Sequence, residues 1–158
     1  MIRGGIGYDV HRLAEDRQLV VGGVEIPHSR GLEGHSDGDV LSHAIADALL
    51  GAICAGDIGQ HFPNTDESIR GISSIKILQR VSELLAEKKA RAVNVDATVI
   101  AEAPRITPHI PAMRKKIAQA IGAPESRVSI KATTNERLGA IGRGEGIAAM
   151  AIATVEQE

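Results

Sequence analysis

Glycine interrupts an apolar and β-branched run from Ile2 to Val10, a pattern that suits a strand. Two further short runs, Leu19-Val20-Val21 and Val24-Glu25-Ile26, flank Gly22-Gly23, which predicts a two-residue hairpin. A polar, glycine-bearing loop from Pro27 to Gly38 then feeds a helix. In that helix Leu41, Ala44, Ile45, Ala48, Leu49 and Ala52 recur at helical spacing, with Ser36 or Asp37 placed to cap it. The stretch from Gly56 to Gly71, holding Pro63, Asn64 and Thr65, reads as a loop with a short turn. A second helix starts at Ser73-Ser74 and carries Ile75, Leu78, Val81 and Leu85, with Lys88-Lys89 in its last turn.

Beyond it, Val93, Val95, Ala97, Val99 and Ala101 alternate with Asn94, Asp96, Thr98 and Glu102, a half-buried strand. A third helix runs from about Pro108 to Ile121, turns Ile110, Met113, Ile117 and Ile121 inward, and stops at Gly122 and Pro124. Val128, Ile130 and Ala132 form another alternating strand. Ile147 to Val155 form the last, after a glycine-rich turn. The order predicts an α/β (α+β) fold: one domain over residues 1–158, a single mixed sheet, and helices on one face of it.

Composition changes this picture in two places. Tyr8 and Phe62 are the only aromatic residues and Trp is absent, so the core is aliphatic and rich in Ala. Small side chains each bury little area, which points towards subunit contacts. A net charge of −2 with scattered Lys and Arg argues against a nucleic-acid partner. The single cysteine, Cys54, lies in an apolar stretch and is expected to be a buried, inert thiol. No membrane span or signal-peptide pattern is visible, so a cytoplasmic location is expected.

Four clusters carry candidate chemistry. Asp9 and His11 are two apart on a strand and project side by side; His43 on the first helix could complete two imidazoles and one carboxylate, the donor set of a catalytic zinc. A surface ion pair would explain Asp9 and His11 equally well. Asp39 and Asp47, one turn either side of His43, could accept its N–H and fix the tautomer, or lie as plain surface carboxylates. The run Gly34-His35-Ser36-Asp37-Gly38-Asp39 at a helix start offers a phosphate seat, or simply a cap. Lys131-Ala132-Thr133-Thr134-Asn135-Glu136 at a strand exit suits phosphate and Mg²⁺ ligation by oxygen, or is a bare turn. Gly139 to Gly146 fits neither a P-loop nor a dinucleotide fingerprint and reads as a turn, with Arg143 free to meet an anion. His28, His61 and His109 lack a second ligand at metal spacing, and Asp96 reads as a solvated or paired carboxylate.

Seven blocks together resemble the 2-C-methyl-D-erythritol 2,4-cyclodiphosphate synthase family, in that family's order and across essentially the whole chain. They are Gly7-Tyr8-Asp9-Val10-His11, His35 to Val40 with His43-Ala44, Gly56-Asp57-Ile58-Gly59, Phe62-Pro63-Asn64-Thr65-Asp66, Ala101-Glu102-Ala103-Pro104-Arg105, Lys131 to Glu136, and Gly142 to Gly146. The resemblance implies a homotrimer with a threefold axis, active sites between subunits, and a cyclising phosphorus–oxygen lyase of isoprenoid precursor synthesis that releases CMP. It implies that Asp9, His11 and His43 hold Zn²⁺ or another divalent transition metal. Glu136 would hold Mg²⁺ or Mn²⁺ with the substrate diphosphate. His35 and Thr134 would stabilise the transition state.

Asp9, Val10, His11, His35 and Ser36, with Asp57, Ile58, Gly59 and Phe62, Pro63, Asn64, Thr65 and Asp66, would bind substrate. A neighbouring subunit would add Ala101, Glu102, Ala103, Pro104, Arg105, Ile106 and Thr107, with Thr133, Thr134, Asn135 and Glu136, around cytidine and phosphate. Arg143 would stand near the axis beside a cavity for isoprenoid diphosphates, where Tyr8 and Ala140 replace a frequent Phe. The alternative is a zinc-dependent phosphohydrolase using the same ligands.

Overall fold

The computed structural model describes residues 1–158. Five strands form one mixed sheet in the order β4-β1-β7-β5-β6: β1 (Ile2–Ala14), β4 (Gly31–Leu32), β5 (Ala90–Ile100), β6 (Val128–Thr133) and β7 (Gly146–Gln157). All its pairings are antiparallel except β5 with β6. The expected hairpin is present, but β2 (Leu19–Val21) and β3 (Val24–Ile26) form a separate two-stranded ribbon rather than joining the sheet. Gly22 and Gly23 both have positive φ, 59° and 71°, as a tight turn of this hand requires. The sheet is therefore not single, and the two-residue strand β4 carried too little pattern to be read from sequence.

The helices are α1 (Val40–Ala52), α3 (Ser74–Glu87) and α4 (Ile110–Ile121), with single turns α2 (Ile58–His61) and α5 (Gly139–Gly142). The third helix was expected from Pro108; a 3₁₀ turn over Thr107–His109 precedes it, and Gly122 closes it at φ 67°. The glycine-rich stretch before β7 contains the α5 turn, which sequence reading did not foresee. No helix is long and apolar enough to cross a membrane.

Along β1 the odd positions Gly5, Gly7, Asp9, His11 and Leu13 face the helices, while Ile2, Ile6, Tyr8 and Val10 lie exposed on the other face. On the covered side α1 is buried nearly all round, held between the sheet and α3. A β-carbon added at Gly5 or Gly7 would overlap the carbonyl oxygens of Ala48 or Ala44. Glycine on the strand and alanine on the helix thus let two backbones meet without side chains between them. One contiguous apolar core of 37 residues results, aliphatic as expected, with Leu41, Ile45, Leu49, Leu78, Met113 and Ile117 among its fully buried members.

Cys54 is exposed, not buried. The chain leaves α1 there through a positive φ of 54°, which turns the thiol outward, and Arg3 Nη2 donates to Sγ at 2.8 Å. A Gly7→Ala substitution is expected to cost about 2 kcal/mol or more, since both colliding atoms belong to backbone. Gly51→Ala, with only Ile6 O at 3.9 Å, should be neutral or stabilising by up to ~1 kcal/mol. Thermal unfolding of the two variants side by side checks the pair.

Candidate metal centre

Where β1 runs past α1, Asp9 and His11 project from the strand towards His43 on the helix. Asp9 Oδ2 lies 2.8 Å from His11 Nε2 and 3.0 Å from His43 Nδ1, and the two nitrogens are 3.2 Å apart. This is the one cluster of three ligand-type side chains in the chain whose donor atoms converge. Tetrahedral ligands about 2.0–2.1 Å from zinc stand roughly 3.3 Å from each other, so outward shifts of a few tenths of an ångström would seat the ion. The donor set and its spacing fit a divalent metal with one position open. His11 Nδ1 donates to Glu33 O, which leaves Nε2 bare for ligation.

Burial alone would push the Asp9 carboxyl up. When the His11 and His43 rings carry a second proton, facing Asp9, their hydrogen bonds and charge outweigh it and hold the group well below the usual carboxylate range. For His11, burial acts downward, yet the Asp9 hydrogen bond and charge leave its pKa raised above the ordinary histidine value.

The carboxylates expected to orient His43 do something else. Asp39, completely buried, is the N-cap of α1: Oδ1 accepts from Ser42 N at 3.0 Å and from Gly22 N at 2.8 Å, and Oδ2 accepts from Gly23 N at 2.7 Å. It therefore locks the hairpin turn to the helix start, and neither Ser36 nor Asp37 caps α1. Burial pushes its carboxyl up, because desolvation outweighs those donors. Asp47 accepts the Ile58 N–H at 2.8 Å and so pins the start of α2, with Asp57 as that turn's cap. His43 Nε2 instead meets Ser74 Oγ at 2.9 Å and Ser36 Oγ at 3.1 Å. In the sequence Ser74 marks only a helix start, and no local pattern makes it a neighbour of residue 43.

A pocket of about 260 Å³ opens beside the three ligands, lined also by His35, Ser36, Ile58, Gly59, Phe62 and Asn64. His35 Nε2 is buried there without a protein partner. Val10 points to the opposite sheet face, and Asp66 caps a 3₁₀ turn through Ser68. A second, separate pocket of about 180 Å³ collects Ala101, Glu102, Pro104, Arg105, Ile106, Thr107, Thr133 and Thr134. It lies at the same end of the sheet, but β7 stands between β1 and β5. Glu102 Oε1 accepts from Asn135 N at 2.8 Å and Arg137 N at 3.2 Å, shaping the loop that presents Glu136 at φ 50°. Glu136 is exposed, near Thr134 Oγ1 at 3.3 Å, and is not among the converging ligands of the first pocket. Arg143 pairs with Glu145 at 2.7 Å, which holds that carboxyl below its usual range. His61 Nε2 meets Ala55 O at 2.8 Å, and Asp96 pairs with Lys131, so both are locally bonded as expected.

A helix-backed sheet that converges two imidazoles and a carboxylate beside a pocket defines an α/β protein with a candidate metal site. The chain belongs to the YgbB family, whose model matches residues 2–156. The 2-C-methyl-D-erythritol 2,4-cyclodiphosphate synthase of Alkaliphilus metalliredigens is 60% identical over 156 residues, 99% of this chain and 98% of that protein. Its namesake in Thiobacillus denitrificans is 57% identical over 156 residues, again 99% and 98%. Among solved structures, the bifunctional IspDF of Campylobacter jejuni superposes with a TM-score of 0.95 at 39% identity; the match covers 100% of this chain but 43% of that one. The Plasmodium falciparum IspF–CDP complex gives a TM-score of 0.86 at 34% identity, covering 99% and 97%.

Zinc affinity should depend on pH with a definite sign. Above the raised pKa of His11 that ring takes an ion without first losing a proton. Below it, the His11 proton must leave for each ion bound, which by itself lowers affinity about tenfold per pH unit. Asp9 stays ionised throughout this range. Calorimetric titration with Zn²⁺ between pH 5.5 and 8.5 on the order of half-unit steps measures the slope.

Proposed function

We propose that this chain converts 4-diphosphocytidyl-2-C-methyl-D-erythritol 2-phosphate to 2-C-methyl-D-erythritol 2,4-cyclodiphosphate with release of CMP, in the non-mevalonate route to isoprenoid precursors. The observation that carries it is the Asp9–His11–His43 cluster beside a pocket that also holds His35 and Ser36, in a chain 60% identical to a synthase of that name. On this reading residues 1–158 form one catalytic domain of a cytoplasmic enzyme.

Ring closure brings the 2-phosphate oxygen onto the β-phosphorus as CMP departs on the opposite side. The obstacle is repulsion between two anionic phosphates. When bound, zinc on Asp9, His11 and His43, and Mg²⁺ or Mn²⁺ on Glu136, would neutralise phosphate charge and polarise the phosphoryl oxygens. His35, whose Nε2 has no protein partner, would donate to a phosphate oxygen in the transition state, with Ser36 beside it. Asp57, Ile58 and Gly59, and the loop from Phe62 to Asp66, form the wall towards the methylerythritol end. Ala101 to Thr107 and Thr133 to Glu136 bind cytidine and diphosphate, and Thr134 donates from its hydroxyl.

Because β7 separates the two pockets within one chain, the site would be completed by a neighbour's second pocket in a homotrimer. What supports that assembly is the uncovered sheet face, where Ile2, Ile6, Tyr8, Val10, Met150 and Ile152 are 47–67% exposed. Covering each would contribute roughly 1–2 kcal/mol. In such a trimer Arg143 and Tyr8 would border the axial space proposed for an isoprenoid diphosphate.

Incubation with substrate, Zn²⁺ and Mg²⁺, followed by ³¹P NMR, should give a cyclic diphosphate and stoichiometric CMP. Linear products with free phosphate would instead establish a hydrolase. His43→Ala should lower kcat by at least about a thousandfold, since metal stabilisation is worth several kcal/mol. Light scattering should give three times the 16.6 kDa chain mass, and Ile152→Glu should reduce it to that of the monomer.

A further inference from the structure

Ser74 is fully buried at the first position of α3, far in sequence from every residue of the metal centre. The residue before it, Ser73, makes no side-chain cap. Asp37 caps the helix instead from the loop ahead of α1: Oδ2 accepts the Ser74 N–H at 2.9 Å, and Oδ1 accepts the Ser74 hydroxyl. Asp37 Oδ1 also accepts the Asp39 N–H at 3.1 Å, and the Asp37 N–H donates to Ile72 O at 3.2 Å, so the carboxylate is held from both sides.

Proton counting fixes the direction of the remaining bond. A hydroxyl has one proton to give, and that of Ser74 goes to Asp37, because a carboxylate accepts only. Towards His43 the Ser74 oxygen can then only accept, so Nε2 at 2.9 Å must carry the hydrogen. A neutral imidazole protonated on Nε2 has its lone pair on Nδ1, the atom that faces Asp9 Oδ2 at 3.0 Å and His11 Nε2 at 3.2 Å. Ser36 Oγ, 3.1 Å from Nε2, accepts the Gly38 N–H and is the weaker, shared acceptor.

We propose that Ser74 and Asp37 form a hydrogen-bond relay, His43 to Ser74 to Asp37, that positions His43 as an Nδ1 metal ligand and tunes the affinity of the centre. Ser74 is a positioning residue: it acts only through His43. The relay places a hydroxyl where metal-bound histidines often have a carboxylate directly. It also ties the metal centre to the N-terminus of α3, so that helix, loop and ligand are set by one carboxylate. This inference rests on the metal-site reading above.

The test measures zinc binding to the full chain by competition with a chromophoric chelator, for the parent, Ser74→Ala and Ser74→Thr. Ser74→Ala should bind about 10- to 100-fold more weakly, as loss of a ligand's outer partner does elsewhere, and Ser74→Thr should stay within about threefold of the parent. Equal affinity of Ser74→Ala and parent would overturn the relay, as would Ser74→Thr falling to the level of Ser74→Ala, which would assign the effect to packing. Long-range ¹H–¹⁵N NMR of the zinc-loaded parent needs no variant: His43 should show a protonated Nε2 and a zinc-shifted Nδ1, and the reverse pattern refutes the proposal. A parent that binds no zinc would remove the metal centre itself, which separates that failure from failure of the relay alone.

Discussion

The site depends on how closely β1 approaches α1. Gly5 and Gly7 present bare backbone to Ala44 and Ala48, so strand and helix meet without intervening side chains. Two and four residues beyond Gly7 on the same face, Asp9 and His11 are carried up to His43. Any side chain at the glycines would lift the strand off the helix, and ligand spacing of 2.8–3.2 Å tolerates little such displacement. The alanine-rich, nearly aromatic-free composition is thus more than a weak core; it permits the approach that assembles three ligands from two elements.

Around that contact the acidic residues are divided by task. Asp39 spends its oxygens on a helix cap and a hairpin turn, Asp47 and Asp57 on the α2 turn, and Asp37 on the start of α3. Each satisfies backbone N–H groups that a helix or turn start leaves without a backbone partner. Asp9 alone has imidazoles as its partners, and it is the carboxylate left for an ion. The same division explains why His43 is oriented by a hydroxyl: the carboxylates nearest in sequence are already committed elsewhere.

One chain presents two pockets at one end of the sheet and an apolar face with nothing on it. An α/β fold with helices on one side leaves the other side of the sheet uncovered, and here β1 and β7 present Ile6, Tyr8, Met150 and Ile152 on it, with the Asp96–Lys131 pair on the strands beyond. The proposed homotrimer would account for both.

Periodicity alone determined much of this protein: the three long helices, the hairpin turn at Gly22-Gly23 and the last three strands, because those are local consequences of spacing and of glycine's conformational freedom. It also singled out Asp9, His11 and His43, since two strand residues on one face and a helix histidine form a recognisable donor set. The residue blocks themselves carried the family resemblance. Tertiary structure decided the rest. The separation of β2–β3 from the main sheet, the outward turn of Cys54, the caps supplied by Asp39 and Asp37, and the meeting of Ser74 with His43 all involve partners distant in sequence or a backbone conformation with no periodic signature. Spacing along the chain fixes which residues share a face, while only packing fixes what that face meets.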